Sequence, residues 1–305
     1  MSLALLFAGQ GSQHAAMLPW LETCSESAAT LALIAVQLGL GWRIHLEESE
    51  WAQRNAVAQP LLTGLGIAAW QGLAPRLPVP AVVAGYSVGE LAAFCVAGVF
   101  DAAEAMSLAR DRAAIMDRCV AGRDTGLLAV QGLDALALDA ACTRHGLSVA
   151  IRLGADRAVL GGLSEALAAA EPDLSARGAR CTRLAVRVAS HTPHLAAAAL
   201  EFEARLSTVA LSSPSSMLVC NHSGATERDP IRLKQMLARQ IATTVLWDAC
   251  MDAIAERRVR CVLEVGPGND LTTLWRDRHP DIPVRSVDDF RSAEAVARWV
   301  ERALR

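Results

Sequence analysis

The chain has 305 residues, 52% of them hydrophobic and 20% charged, which supplies a sizeable core and excludes a disordered segment. Its 29 basic and 32 acidic residues are spread along the chain for a net charge of −3, so neither nucleic acid nor an anionic membrane is an expected partner. The eight cysteines form no C-x-x-C pair and no zinc spacing; most read as reduced core residues, and no metal site is expected.

Leu3 to Ala8 is apolar, lacks a charged leader and is too short to span a bilayer. It reads as a buried first strand of a cytoplasmic chain. A helix-rich stretch to Leu73, a strand at Val79 to Ala84 and a further helix follow, an alternation that implies an α/β fold with parallel strands and crossover helices. Pro75, Pro78 and Pro80 mark the connection into the second strand. From Gly126 the rhythm changes to strand 127–131, helix 134–144, strand 147–153, strand 157–160, helix 164–177 and strand 180–188, the split β-α-β-β-α-β order. The reading places a smaller inserted subdomain at 125–188 in a large domain made of 1–124 and 189–305, with Pro172 a candidate break in the insertion's second helix. A helix at 193–206, a short strand at 217–220, helices within 231–257 and the apolar run Cys261 to Val265 return to the large domain.

Gly85-Tyr86-Ser87-Val88-Gly89 follows an apolar run and precedes the helix pattern 90–96, the strand-turn-helix setting of a nucleophile elbow. Glycines remove Cβ clashes in such a turn, and the helix N-terminus favours developing negative charge. The same residues also fit a tight turn with a solvated serine. A serine nucleophile needs a base, and histidine suits neutral pH. His14, His45, His145 and His279 sit in surface-like settings, which leaves His191, His194 and His222. His191, in Ala189-Ser190-His191-Thr192-Pro193 where a loop meets a helix start, is the preferred candidate, the alternative being a capping segment with an incidental histidine. Gly9-Gln10-Gly11-Ser12-Gln13, after the first strand, fits half an oxyanion hole or a simple turn. Arg112 shares its helix with Arg110 and Arg118, and by itself reads as one cation on a solvated face.

Together these segments resemble the malonyl-CoA:acyl-carrier-protein transacylase family, from residue 4 to about 275. The likeness rests on Phe7-Ala8-Gly9-Gln10-Gly11-Ser12-Gln13, Gln59-Pro60, the elbow with Gly89-Glu90, Arg112, Ser190-His191, Arg239-Gln240 and Glu264-Val265-Gly266-Pro267-Gly268. The resemblance implies a hydrolase-like core with a ferredoxin-like insertion, Ser87 as nucleophile, His191 as base, and the backbone N–H groups of Gln10 and Val88 as the oxyanion hole. It further implies a main-chain carbonyl at Gln240 orienting the histidine and Arg112 pairing with the malonyl carboxylate. Malonyl-CoA would be the donor substrate and an acyl-carrier protein the acceptor, with no permanently bound cofactor.

Tyr86 stands where that family usually has histidine, and the insertion lacks the asparagine-rich strand common in fatty-acid enzymes. Tyr86 to Ala93 and Met17-Leu18-Pro19-Trp20 look closer to the malonyl-transferring (epsilon) subunit of bacterial malonate decarboxylase. The alternatives are a transacylase of fatty-acid or polyketide synthesis, a serine thioesterase or hydrolase, and a non-catalytic scaffold. A hydrolase triad would require an acid between Ser87 and His191; Asp156 and Asp173 fall there, each better suited to a turn.

Overall fold

A computed structural model describes residues 2–305. In chain order the elements are β1 (Leu3–Phe7), α1 (Ala28–Leu38), α2 (Trp42–His45), α3 (Ser49–Gln53), α4 (Asn55–Leu73), β2 (Val82–Gly85), α5 (Gly89–Val96) and α6 (Ala102–Cys119). Next come β3 (Thr125–Gln131), α7 (Ala135–His145), β4 (Ser148–Arg152), β5 (Arg157–Leu163), α8 (Ser164–Ala176), β6 (Arg180–Arg183) and α9 (Ala196–Ser207). The chain ends with β7 (Met217–Cys220), β8 (Ala225–Glu227), α10 (Pro230–Arg239), β9 (Val245–Leu246), α11 (Trp247–Ala255), β10 (Cys261–Val265), α12 (Asp270–Arg278), β11 (Val284–Ser286) and α13 (Ala293–Leu304).

The larger sheet has the order β11-β10-β1-β2-β7-β8. Its first five strands are parallel and β8 returns antiparallel on the β7 edge. β1, β2 and β10 are buried at every position. This suits their unbroken apolar runs, because crossover helices cover both faces of a parallel sheet. The fold is α/β with a hydrolase-like core.

The second sheet runs β6-β3-β5-β4-β9. Its β3 to β6 pairs are antiparallel and appear in the β-α-β-β-α-β order that the sequence predicts. β9, from far along the chain, adds to β4 in parallel. The small cavity described below lies between the two sheets, with Leu127 and Ile151 of the smaller sheet in its wall.

Three expectations are corrected. The second strand starts at Val82 and not Val79: Pro78 and Pro80 have no N–H to give, Val79 is 79% exposed, and pairing begins with the Ala81 N–H donating to Leu3 O. α8 runs unbroken through Pro172. The lost backbone bond is outweighed there by an apolar stripe, Leu167, Ala170 and Leu174, buried in the subdomain core. The strand expected at 180–188 ends at Arg183. Leu184 N–H still reaches Leu127 O, but beyond it the Thr125 hydroxyl replaces the ladder, donating to Arg187 O and accepting from Ala189 N–H. Residues 184–186 are thereby freed to wall the cleft.

Candidate active site

The turn between β2 and α5 is set by sterics. A Cβ on Gly85 would overlap the Gly89 carbonyl, and one on Gly89 would overlap Phe7 O. Both positions therefore require glycine, and Ser87 is left at the apex with φ of 54°. His191 has φ of 63°, so two of the four described non-glycine residues in the left-handed region belong to one site. Such a conformation costs of order 1–3 kcal/mol and persists only where surroundings enforce it.

Ser87 Oγ lies 2.8 Å from His191 Nε2. His191 Nδ1 is 2.5 Å from the main-chain oxygen of Gln240, and His191 N–H donates to Ile241 O. A carbonyl only accepts, so the neutral ring carries its proton on Nδ1 and presents a bare Nε2 to the serine hydroxyl. Burial, then the nearby Arg112 charge, depress the His191 pKa to about 3, partly opposed by the Gln240 hydrogen bond. The imidazole is a free base at neutral pH.

Arg112 is 1% exposed, unlike the solvated cation its helix neighbours suggest. Arg110 and Arg118 do lie outside, paired with Asp111 and Glu201. The Arg112 guanidinium donates to Gln59 Oε1 at 2.7 Å and, at 3.5 Å, to Gln240 Oε1, while its Nε has no partner among the described residues. Burial pulls its pKa down to about 10, so it remains charged at neutral pH. A buried cation satisfied only by neutral amides is a ready partner for an incoming carboxylate.

Ser87, His191, Arg112, Gln59, Met116 and Ile151 line one cavity of about 70 Å³. A wider cleft of about 340 Å³ shares Gln10, Tyr86, Leu184 and Val186 with it. Gln10 and Val88 both line the smaller cavity, and neither N–H donates to an acceptor among the described residues. Gln10 is anchored by its side chain, which donates to Gln53 O, as Gln13 does to Ala52 O. Tyr86 packs edge-on against Trp247 with centroids 5.1 Å apart. A Cβ on Gly9 would come within 2.6 Å of Tyr86 Cδ1, so that loop needs glycine here.

Of the sequence candidates, Ser87, His191, Gln10, Val88, Arg112 and Gln240 converge. His194 lies on a short 3₁₀ turn outside the cavity, and His222 bonds Thr243 instead. Asp173 is held by Arg144, His145 and Arg177, while Asp156 O caps Gly132 N–H, so neither reaches His191. Sequence reasoning missed Asn221 and the role of Glu90. The Asn221 side chain bonds both Gly85 O and Ser87 N–H, and its own N–H donates to Glu90. Its one sequence signal is a polar residue directly after the buried strand β7.

The sequence profile of the family described as "Acyl transferase domain" matches residues 4–302. The chain is 33% identical over 290 residues to the malonyl CoA-acyl carrier protein transacylase of Mycobacterium tuberculosis, covering 93% of this chain and 96% of that one. With the protein of that name from Escherichia coli K12 it shares 29% over 311 residues, 96% of this chain and 98% of the other. Among solved structures it resembles an acyl-carrier-protein S-malonyltransferase from Burkholderia pseudomallei, with TM-score 0.91, 27% identity, and 98% and 100% of the two chains covered. It also resembles a malonyl-transacylase solved with its type II polyketide acyl-carrier protein, with TM-score 0.91, 28% identity, and 98% and 99% covered. With its profile matched almost end to end and its fold shared, this chain belongs to the acyltransferase domain family.

Proposed function

We propose that this enzyme moves a malonyl group from malonyl-CoA to the thiol of an acyl-carrier protein through an ester on Ser87. The observation that carries the reading is Arg112, a buried cation with no carboxylate hydrogen-bonded to it among the described residues, in the same small cavity as the Ser87–His191 pair. A carboxylate bound to it would place a malonyl thioester carbonyl toward Ser87, and an acetyl group would forgo that contact. The names of the relatives, all malonyl transfer to an acyl-carrier protein, point the same way.

In the first half-reaction His191 Nε2 takes the Ser87 proton as Oγ attacks the thioester carbon. The oxyanion forms against the N–H groups of Gln10 and Val88, at the positive end of α5. The carbon–sulfur bond then breaks, and CoA leaves with the proton from His191. In the second half the carrier thiol gives its proton to His191 and attacks the ester, and Ser87 recovers the proton as it leaves. The Gln240 carbonyl keeps the imidazole in the required tautomer throughout.

For the acceptor, Tyr86 and the Met17-to-Trp20 segment favour the malonate decarboxylase carrier, which bears a phosphoribosyl-dephospho-CoA group. The relatives' names give an acyl-carrier protein as partner, in one case that of a type II polyketide system, which favours the alternative, the phosphopantetheine carrier of fatty-acid or polyketide synthesis. Isolated malonyl-enzyme, mixed with each carrier in turn, decides by which one takes up the label faster. Rapid label loss to water with neither carrier present would instead mark a thioesterase.

A further inference from the structure

The Gly85 carbonyl, at the end of β2, and the Ser87 N–H flank Tyr86 in the elbow. The last β2–β7 pair is Ala84 with Val219, one residue short of Gly85. Asn221, one residue beyond β7, fills the gap with its side chain: Nδ2 donates to Gly85 O at 2.6 Å and Oδ1 accepts Ser87 N–H at 2.8 Å. Its own N–H donates to Glu90 Oε1 at 2.6 Å. Glu90 lies in the first turn of α5, the helix that the elbow feeds. Asn221 and Glu90 are both 0% exposed, so water is not at hand to replace either bond.

We propose that Asn221, seated by Glu90, is a positioning residue that holds Ser87 in its left-handed backbone and so keeps Oγ within reach of His191. The proposal rests on Ser87 being the nucleophile. The physical reason is that a left-handed φ of 54° is a minority state for serine. Relaxing it rotates Cβ about the backbone and moves Oγ off the 2.8 Å line to Nε2. One amide that bonds the residue two before the apex and the apex itself closes a ring around the strained segment. Glu90 fixes the orientation of that amide by accepting from the same residue's main chain. The second Glu90 oxygen has no partner among the described residues, so one acceptor atom is all this function uses.

The test is the single-turnover rate of malonyl-enzyme formation at saturating malonyl-CoA, followed by quenched-flow intact mass, with CoA-ester affinity and melting temperature measured alongside. Asn221→Ala is expected to slow acylation on the order of 100-fold, the penalty of an ångström-scale misplacement, with affinity little changed. Glu90→Ala is expected to slow it, and Glu90→Gln, which keeps the acceptor, to recover most of that loss. Ser292→Ala, which removes the cap of the distant α13, controls for lost stability alone and should leave the rate unchanged. Acylation of folded Asn221→Ala at the natural rate overturns the proposal. If that variant does not fold, equal rates for Glu90→Ala and Glu90→Gln overturn it and a clear difference supports it. Failure of the natural protein to acquire any adduct would instead remove the Ser87 reading itself.

Discussion

At the scale of single residues, burial turns ordinary side chains into reagents. His191 is neutral in the folded state because burial and Arg112 depress its pKa to about 3, so acylation should hold its rate as pH falls from 7 to 5. A pH profile of single-turnover acylation checks this, and a half-loss near 6.5 would contradict it. The stability sign is the opposite of a benefit from protonation: with a folded pKa below the unfolded value, His191's contribution is present above about 6.5 and is lost as pH falls toward 3. Gly85→Ala should abolish acylation, because the new Cβ would meet the Gly89 carbonyl with no flexible atom to yield; adduct formation at the natural rate would contradict that steric account. That Ser87 and His191 meet at a glycine-flanked turn was legible in sequence, because the elbow pattern and a loop histidine are both local signals. Arg112 was legible only through family likeness, since nothing local distinguishes a buried arginine from Arg110 on the same helix. Asn221 was not, because its role depends on two strands that meet only in the fold.

At the scale of elements, the apolar runs β1, β2 and β10 were readable because both faces of each are buried. The errors fell where side chains override local propensity. The Thr125 hydroxyl ends the β6 ladder, two prolines delay β2, and a buried stripe carries α8 past Pro172. The first turn of α5 holds Glu90, whose pKa burial raises to about 8 against 4.5 when exposed. With the folded pKa raised, its stabilising contribution is complete below 4.5 and lost as pH rises through 8. Glu90→Gln should therefore gain stability relative to the natural protein as pH increases from 5 to 8 and level off above. Urea midpoints at pH 5, 7 and 9 check the trend, and a constant difference would contradict it.

At the scale of the molecule, two sheets cooperate. We take residues 125–188 as the insertion in a body made of 1–124 and 189–305, with β9 of the body completing the insertion's sheet. The insertion supplies Leu127 and Ile151 to the wall of the cavity that Ser87 and His191 also line, and in the proposed mechanism such apolar walls would shield an ester on Ser87 from water. Ile151→Ala should accordingly speed the decay of malonyl-enzyme to free malonate when no acceptor is present. The larger core depends on its central strands: Leu263→Ala, in fully buried β10, should cost about 2–5 kcal/mol by urea denaturation. The central claim is a malonyl ester on Ser87 selected by Arg112. Intact-mass spectrometry after brief mixing with malonyl-CoA or acetyl-CoA tests it most directly, on the natural protein, Ser87→Ala and Arg112→Ala. The account predicts a malonyl adduct on the natural protein, none on Ser87→Ala, and a preference shifted from malonyl to acetyl on Arg112→Ala. An adduct that survives in Ser87→Ala, or no adduct and no CoA release with the natural protein, would contradict it.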